Sequence, residues 1–209
     1  MAPTDPIPHP VPGDLSVRLT GTRVTVEPLG AGDLDGLGAI ATDADMFRWM
    51  MGLDLSEPAT LERWLADSLQ SAADGVEVPF VVRSAASGDA LGSTRFLSLQ
   101  LDQLVAEIGW TWYARAAWGT GVNVECKLLL LGHAFETVGL RRVEFKTDSR
   151  NARSRGALVA LGAKYEGTFR KHRVLPDGGV RHSAYYSVID DEWPAVRAAL
   201  KQRLQGVAA

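Results

Sequence analysis

The chain has 209 residues, which bounds it to one domain, or one domain with a small appendage. With 46% hydrophobic and 22% charged residues it has the composition of a globular protein, and its net charge of −3 argues against a dedicated nucleic-acid binder. Residues 141–182 nevertheless hold 11 of the 22 Lys and Arg but only 4 of the 25 Asp and Glu, a local excess of seven positive charges that leaves the rest at −10. A basic block on an acidic protein asks for an anionic ligand.

A single cysteine, Cys126, excludes a disulfide framework and a cysteine-built zinc site. The four histidines lack metalloprotease spacing, so no metal is expected. The longest aliphatic cluster, Leu128 to Leu131, is far too short for a membrane span, so no membrane partner is expected. Pro3, Pro6, Pro8, Pro10 and Pro12 predict an extended leader over residues 1–14. It has neither the basic start nor the apolar middle of a secretory signal, and a cytoplasmic protein is expected.

Folded structure is expected from Leu15. Residues 15–28 read as two short strands joined at Thr20-Gly21-Thr22. Leu34, Leu37 and Ile40 are spaced for one helix face within residues 30–50. Ser56 suits an N-cap for a helix with Leu61, Trp64, Leu65 and Leu69 on its apolar stripe, ending near Ala73. Strands follow over 78–83 and 90–99, then an aromatic-rich strand over 104–113, where Gly109 marks a bulge or a close backbone approach. After Gly121 the spacing of Val124, Leu128, Leu131, Phe135 and Val138 predicts a helix closed by Gly139. A strand over 142–147, a short helix over 151–161, two strands near 164–174 and 180–188, and a terminal helix over 192–204 complete the chain. This order is a mixed α/β domain around one sheet.

The segment from Glu107 to Cys126 carries the clearest chemistry. A strand ends, a loop brings Gly119 and Gly121, and a helix starts at once. Glycines let the backbone approach a ligand, and the free N–H groups of a helix start attract anions. The alternative is a tight loop that needs only positive φ. A Walker A loop is excluded because Val122-Asn123 follows Gly121, and a Rossmann fingerprint from Gly119 fails at Val124.

Trp118-Gly119-Thr120-Gly121-Val122-Asn123, after Glu107-Ile108-Gly109-Trp110, resembles the acyl-CoA segment of the GCN5-related N-acetyltransferases. Arg142 to Asp148, Asn151, Ser154, Leu161-Gly162-Ala163 and Glu166-Gly167 resemble the second half of that family. The subgroup most similar is that of the ribosomal-protein N-terminal acetyltransferases, over about residues 15–190. Two positions depart from the family's Arg/Gln-x-x-Gly-x-Gly/Ala loop: Trp118 is not basic and Asn123 is not small. The helix position that carries a tyrosine acid in many relatives falls near Leu158, which has no hydroxyl.

The resemblance implies a twisted, mostly antiparallel sheet of about seven strands, splayed in the middle to hold acetyl-CoA, in one domain over residues 15–204. It implies transfer of acetyl to a primary amine, with Glu107 as base and Ser154 as acid. Donor contacts are implied at Trp110, Thr111, Trp112, Trp118, Gly119, Thr120, Gly121, Val122, Asn123 and Asn151. Arg153 and Arg155 are the candidates for the 3′-phosphate. Each has a plainer reading: Glu107 as an ion-paired carboxylate, Asn151 as a helix cap, the arginines as solvated surface. A homodimer is also implied. An acyl-CoA-binding module on the same fold, and transfer of a larger acyl group such as succinyl, remain alternatives.

Overall fold

The structure, a computed structural model, describes residues 9–206. Most of the expected leader lies outside those residues; Pro12–Leu15 form a four-residue helix, α1. Eight strands make one sheet: β1 (Leu19–Thr20), β2 (Val24–Pro28), β3 (Val78–Ser84), β4 (Ala90–Gln100), β5 (Val105–Tyr113), β6 (Arg142–Asp148), β7 (Lys164–Val174) and β8 (Val180–Ile189). Their order is β1-β2-β3-β4-β5-β6-β8-β7. The expected count of about seven is corrected to eight, because the two-residue strand at Leu19–Thr20 pairs with Val26 and Thr25 at the sheet edge.

Every neighbouring pair is antiparallel except β5 and β6. Those two are parallel and paired only from Val105↔Arg142 to Glu107↔Glu144. Beyond Glu107 they diverge, which opens the sheet at its centre.

Helices α4 (Val122–Gly132), α5 (Ala152–Leu161) and α6 (Trp193–Gln205) bury one face of the sheet. Phe80, Phe96, Ile108, Leu130, Phe145, Tyr186 and Leu200 belong to that core. Helices α2 (Leu34–Gly38) and α3 (Pro58–Ala73) cover the other face near β3–β5, through Leu37, Phe47, Trp64, Val81 and Trp112.

Three local expectations shift. Residues 30–50 form only α2 and short 3-10 turns, because Gly36 and Gly38 interrupt the helix and Asp43 caps a new turn by accepting from the Asp45 N–H at 2.9 Å. Ser56 turns its hydroxyl to Asp54 at 2.6 Å, so α3 starts after Glu57 with Pro58 in its first turn. The buried side of α4 is Val122, Cys126, Leu130 and Leu131, rotated from the expected stripe. Val124, Leu128, Phe135 and Val138 pack at the core margin. His133–Thr137 continue α4 as a π-helical turn, which breaks the 3.6-residue period.

Candidate active site

The centre of the sheet carries a bulge. On β4–β5, Arg95 faces Gly109 and Ser93 faces Trp112, so Trp110 and Thr111 together oppose Thr94. Trp110 sits at φ +50°, a left-handed conformation that costs a bulky residue energy. The bulge lies immediately past the last β5–β6 pair. Past Glu107 the edge of β5 that faced β6 has no ladder partner, so backbone groups there are available to a ligand. Gly92 lies beneath the end of the bulge. A Cβ there would collide with the Trp112 carbonyl, so the close approach of β4 to β5 needs glycine.

The loop from β5 to α4 is held from several sides. The Trp118 indole donates to the Tyr113 carbonyl at 3.0 Å, and the Thr120 hydroxyl donates to the Ala117 carbonyl at 2.7 Å. Gly121, at φ +87°, is the N-cap of α4. The amides of Val122, Asn123 and Val124 therefore open a helix with no side-chain cap, an arrangement suited to an anion.

Glu107 is buried on β5, on the face opposite α4. Its carboxylate pairs with the Lys146 ammonium at 2.7 Å and accepts from the Ser98 hydroxyl at 3.2 Å. Two contacts leave acceptor capacity on a carboxylate, which has about four lone-pair sites.

Asn151 caps α5: its side-chain oxygen accepts from the Ser154 N–H at 3.0 Å. The Ser154 hydroxyl makes no hydrogen bond among the described residues. Arg153 lies over the Trp118 ring at 3.6 Å, which brings the start of α5 to the loop. Arg155 turns elsewhere, to the Tyr186 hydroxyl and the Ser149 carbonyl, both at 3.1 Å. Trp112 places its ring in the second core against Phe47 and Trp64, so only its backbone faces the gap. Cys126 and Leu158 are core residues, and His133 bonds the Asp14 carbonyl at 2.7 Å.

Sequence reasoning missed Lys127. It is buried on α4, donates to the Thr111 hydroxyl at 3.0 Å and lies 5.9 Å from the Phe145 ring centre on β6. It thus bridges the two diverging strands. Burial lowers its pKa to about 8. A lone lysine in the run Cys126-Lys127-Leu128-Leu129-Leu130 was its only sequence signal. Among the described residues, no group of three His, Cys, Asp or Glu could hold a metal, and no helix is long and apolar enough to cross a membrane.

The family described as acetyltransferase (GNAT) domain matches residues 23–164. The chain belongs to that family. It is an N-acetyltransferase, and its family uses acetyl-CoA. Comparison with curated proteins gives no match. A GCN5-related N-acetyltransferase from Brucella melitensis is 28% identical, with a TM-score of 0.85 over 98% of this chain and 90% of that one. A proposed acetyltransferase from T. thermophilus is 34% identical, with a TM-score of 0.79 over 90% of this chain and 97% of that one. RimJ of Mycobacterium smegmatis, solved in complex with CoA-disulfide, shares the fold at 21% identity, with a TM-score of 0.76 over 91% of this chain and 96% of that one.

Proposed function

We propose that this N-acetyltransferase moves acetyl from acetyl-CoA directly to a primary amine held on the Glu107 face of the sheet. The observation that carries the reading is the juxtaposition at the centre of the fold. A bulged strand, a gap in the sheet and the open start of α4 meet beside a buried, half-satisfied carboxylate. The amides of Val122 and Asn123, with Gly119, Thr120 and Gly121 giving them clearance, hold the pyrophosphate. Arg153 lies beside them. Amides at Trp110–Trp112 polarise the thioester carbonyl.

The amine nitrogen forms the new C–N bond and the C–S bond breaks. Glu107 takes the amine proton, directly or through water, and Ser154 gives a proton to the departing sulfur. Arg155, tied to Tyr186 and Ser149, is assigned to packing of α5 rather than to the 3′-phosphate. The subgroup of ribosomal-protein acetyltransferases is supported by the motif order and by the fold shared with RimJ. The resemblance further supports residues 15–204 acting as one domain in a cytoplasmic homodimer, which sedimentation and fractionation would test.

Calorimetry with acetyl-CoA, followed by turnover on an amine panel, tests the reading. Glu107→Gln is expected to lower kcat by roughly a hundredfold, with the loss shrinking at high pH as the amine deprotonates by itself. A pH–rate profile unchanged by the substitution removes Glu107 from the reaction. Tight donor binding with no turnover on any amine favours a binding module instead.

A further inference from the structure

Part of the basic block identified in the sequence is spent on structure. Arg142 pairs with Glu144 and Glu166, Lys146 with Glu107, Arg150 with Asp148, and Lys164 with Glu192. Arg181, on β8, is different. It is 8% exposed, yet among the described residues its side chain has no hydrogen bond and no ion pair. Its Nε is sealed from solvent without a partner.

The two carboxylates that attract it form their ion pairs with other residues. Asp148 and Glu107 attract Arg181 through space, and Arg173, directly opposite on β7, repels it. Asp148 accepts from the Arg150 guanidinium at 2.8 and 3.0 Å and from the Arg150 N–H at 2.9 Å. Glu107 is held by Lys146 and Ser98. A buried guanidinium stays charged, and leaving it unpaired is costly. Arg95 differs: it is similarly buried and its Nε also lacks a partner, but its terminal nitrogens pair with Glu77 and donate to the Ser68 hydroxyl at 3.0 Å.

Arg181 lies on the Glu107 face. Glu107 is in register with Glu144, Glu144 with Ser187, Lys146 with Tyr185, and Asp148 with Ser183. Alternation along β8 then puts Arg181, Ser183, Tyr185 and Ser187 on that same face. The Tyr185 ring stacks on Phe169 at 4.4 Å, and His172 bonds the Ser183 hydroxyl at 2.9 Å. This face of the sheet therefore carries a carboxylate on β5 and an unpaired guanidinium on β8, with the cationic Arg173 opposite it.

We infer that Arg181 binds an anionic oxygen group, carboxylate or phosphomonoester, carried by the amine acceptor itself. The inference rests on the reading that the amine is received on the Glu107 face. A bidentate oxyanion on the two terminal nitrogens, which unlike Nε are not sealed, offsets the guanidinium charge and leaves the amine of the same molecule directed to Glu107. The acceptor is then an acidic amine, not a hydrophobic or polycationic one.

The test uses matched acceptors that differ only in the anion: β-alanine against β-alaninamide, a glutamate-bearing peptide against its glutamine analogue, and phosphoethanolamine against ethanolamine. In at least one pair the anionic member is expected to show a kcat/KM about tenfold or more above its neutral partner. The pair that responds separates carboxylate from phosphate. Arg181→Gln is expected to erase the preference through KM, with acetyl-CoA affinity and turnover of the neutral partner unchanged, and Arg181→Lys to restore part of it. Equal use of both members in every pair overturns the inference. So does an equal loss on both members, or a loss of acetyl-CoA affinity, in Arg181→Gln. If no amine is acetylated, the acceptor reading fails, and a thermal-shift titration with glutarate and phosphoethanolamine decides about Arg181 separately. A rise in Tm in the native protein, absent from Arg181→Gln, supports the anion site; no rise overturns it.

Discussion

Two buried carboxylates, Glu125 and Glu107, have opposite local economies. Glu125, in the first turn of α4, accepts from the Thr22 N–H at 3.0 Å, the Thr22 hydroxyl at 2.7 Å, the Arg23 N–H at 2.6 Å and the Val24 N–H at 2.8 Å. Its lone pairs are filled, and it fastens the β1–β2 turn to the start of α4. A Cβ at Gly21 would lie 2.6 Å from this carboxylate, so a side chain there would push the carboxylate off its donors. Glu107 has one ammonium and one hydroxyl, beside the gap in the sheet. Burial is the same; saturation is not. A saturated carboxylate has no capacity left for a proton in transit, whereas a half-satisfied one beside an opening has.

The largest expected effect comes from breaking the saturated member. Glu125→Ala removes four acceptor contacts at once and is expected to cost about 4 kcal/mol of stability by urea unfolding, with donor binding lost as the start of α4 loosens. Burial alone would raise the Glu125 pKa, but the Thr22 hydroxyl and the backbone amides outweigh it and hold the carboxyl below its usual value. Its contribution is therefore present above the unfolded-state pKa and disappears as pH falls through the lower folded-state value. The acid limb of the stability curve should be shallower in Glu125→Ala; identical acid limbs would contradict the role.

The same comparison extends to cations. Lys127 is buried with only hydroxyl partners, and burial lowers its pKa to about 8. Its folded-state pKa lies below the unfolded value, so the unfolded chain binds more protons between about pH 8 and the ordinary lysine value of 10.5, and stability attributable to this residue rises over that window. Lys127→Met is expected to gain up to roughly 3 kcal/mol at about pH 7, with the gain fading as pH rises toward the ordinary lysine pKa. A gain independent of pH would mean that packing, not charge, decides. Arg181→Met is expected to raise the unfolding midpoint as well, by a smaller amount, because its guanidinium is not wholly sealed and two carboxylates already attract it.

The succession of strands, and the loop and helix starts proposed to hold the donor, were legible in the sequence because they rest on local signals. Alternation marks strands, Gly119 and Gly121 mark the loop, and Asn151 marks the start of α5. The saturation of Glu125 was not legible, since its donors lie about a hundred positions away in the chain. Nor was the loneliness of Arg181. Arg150 takes Asp148 from two positions away, and only the pairing of β6 with β8, which brings Arg181 near the same carboxylate, shows that Arg181 is left over. The rotated face of α4 escaped for a related reason: Lys127 is buried against a polar bulge, which no apolar stripe predicts.

The smallest expected effects separate two neighbours on α5. Asn151 accepts from the Ser154 N–H, so Asn151→Ala should cost about 1 kcal/mol in thermal unfolding, and Asn151→Asp should restore most of it. Ser154 contributes only its N–H to that cap, which alanine keeps. Its hydroxyl has no partner among the described residues, so Ser154→Ala should leave Tm within the error of the wild type. Any loss of turnover in Ser154→Ala then belongs to the reaction rather than to the fold. An acid role predicts a several-fold lower kcat at unchanged acetyl-CoA affinity, with the loss smallest for donors whose leaving thiol is most acidic. Full activity together with full stability would leave proton delivery to water and reduce Ser154 to a capping N–H.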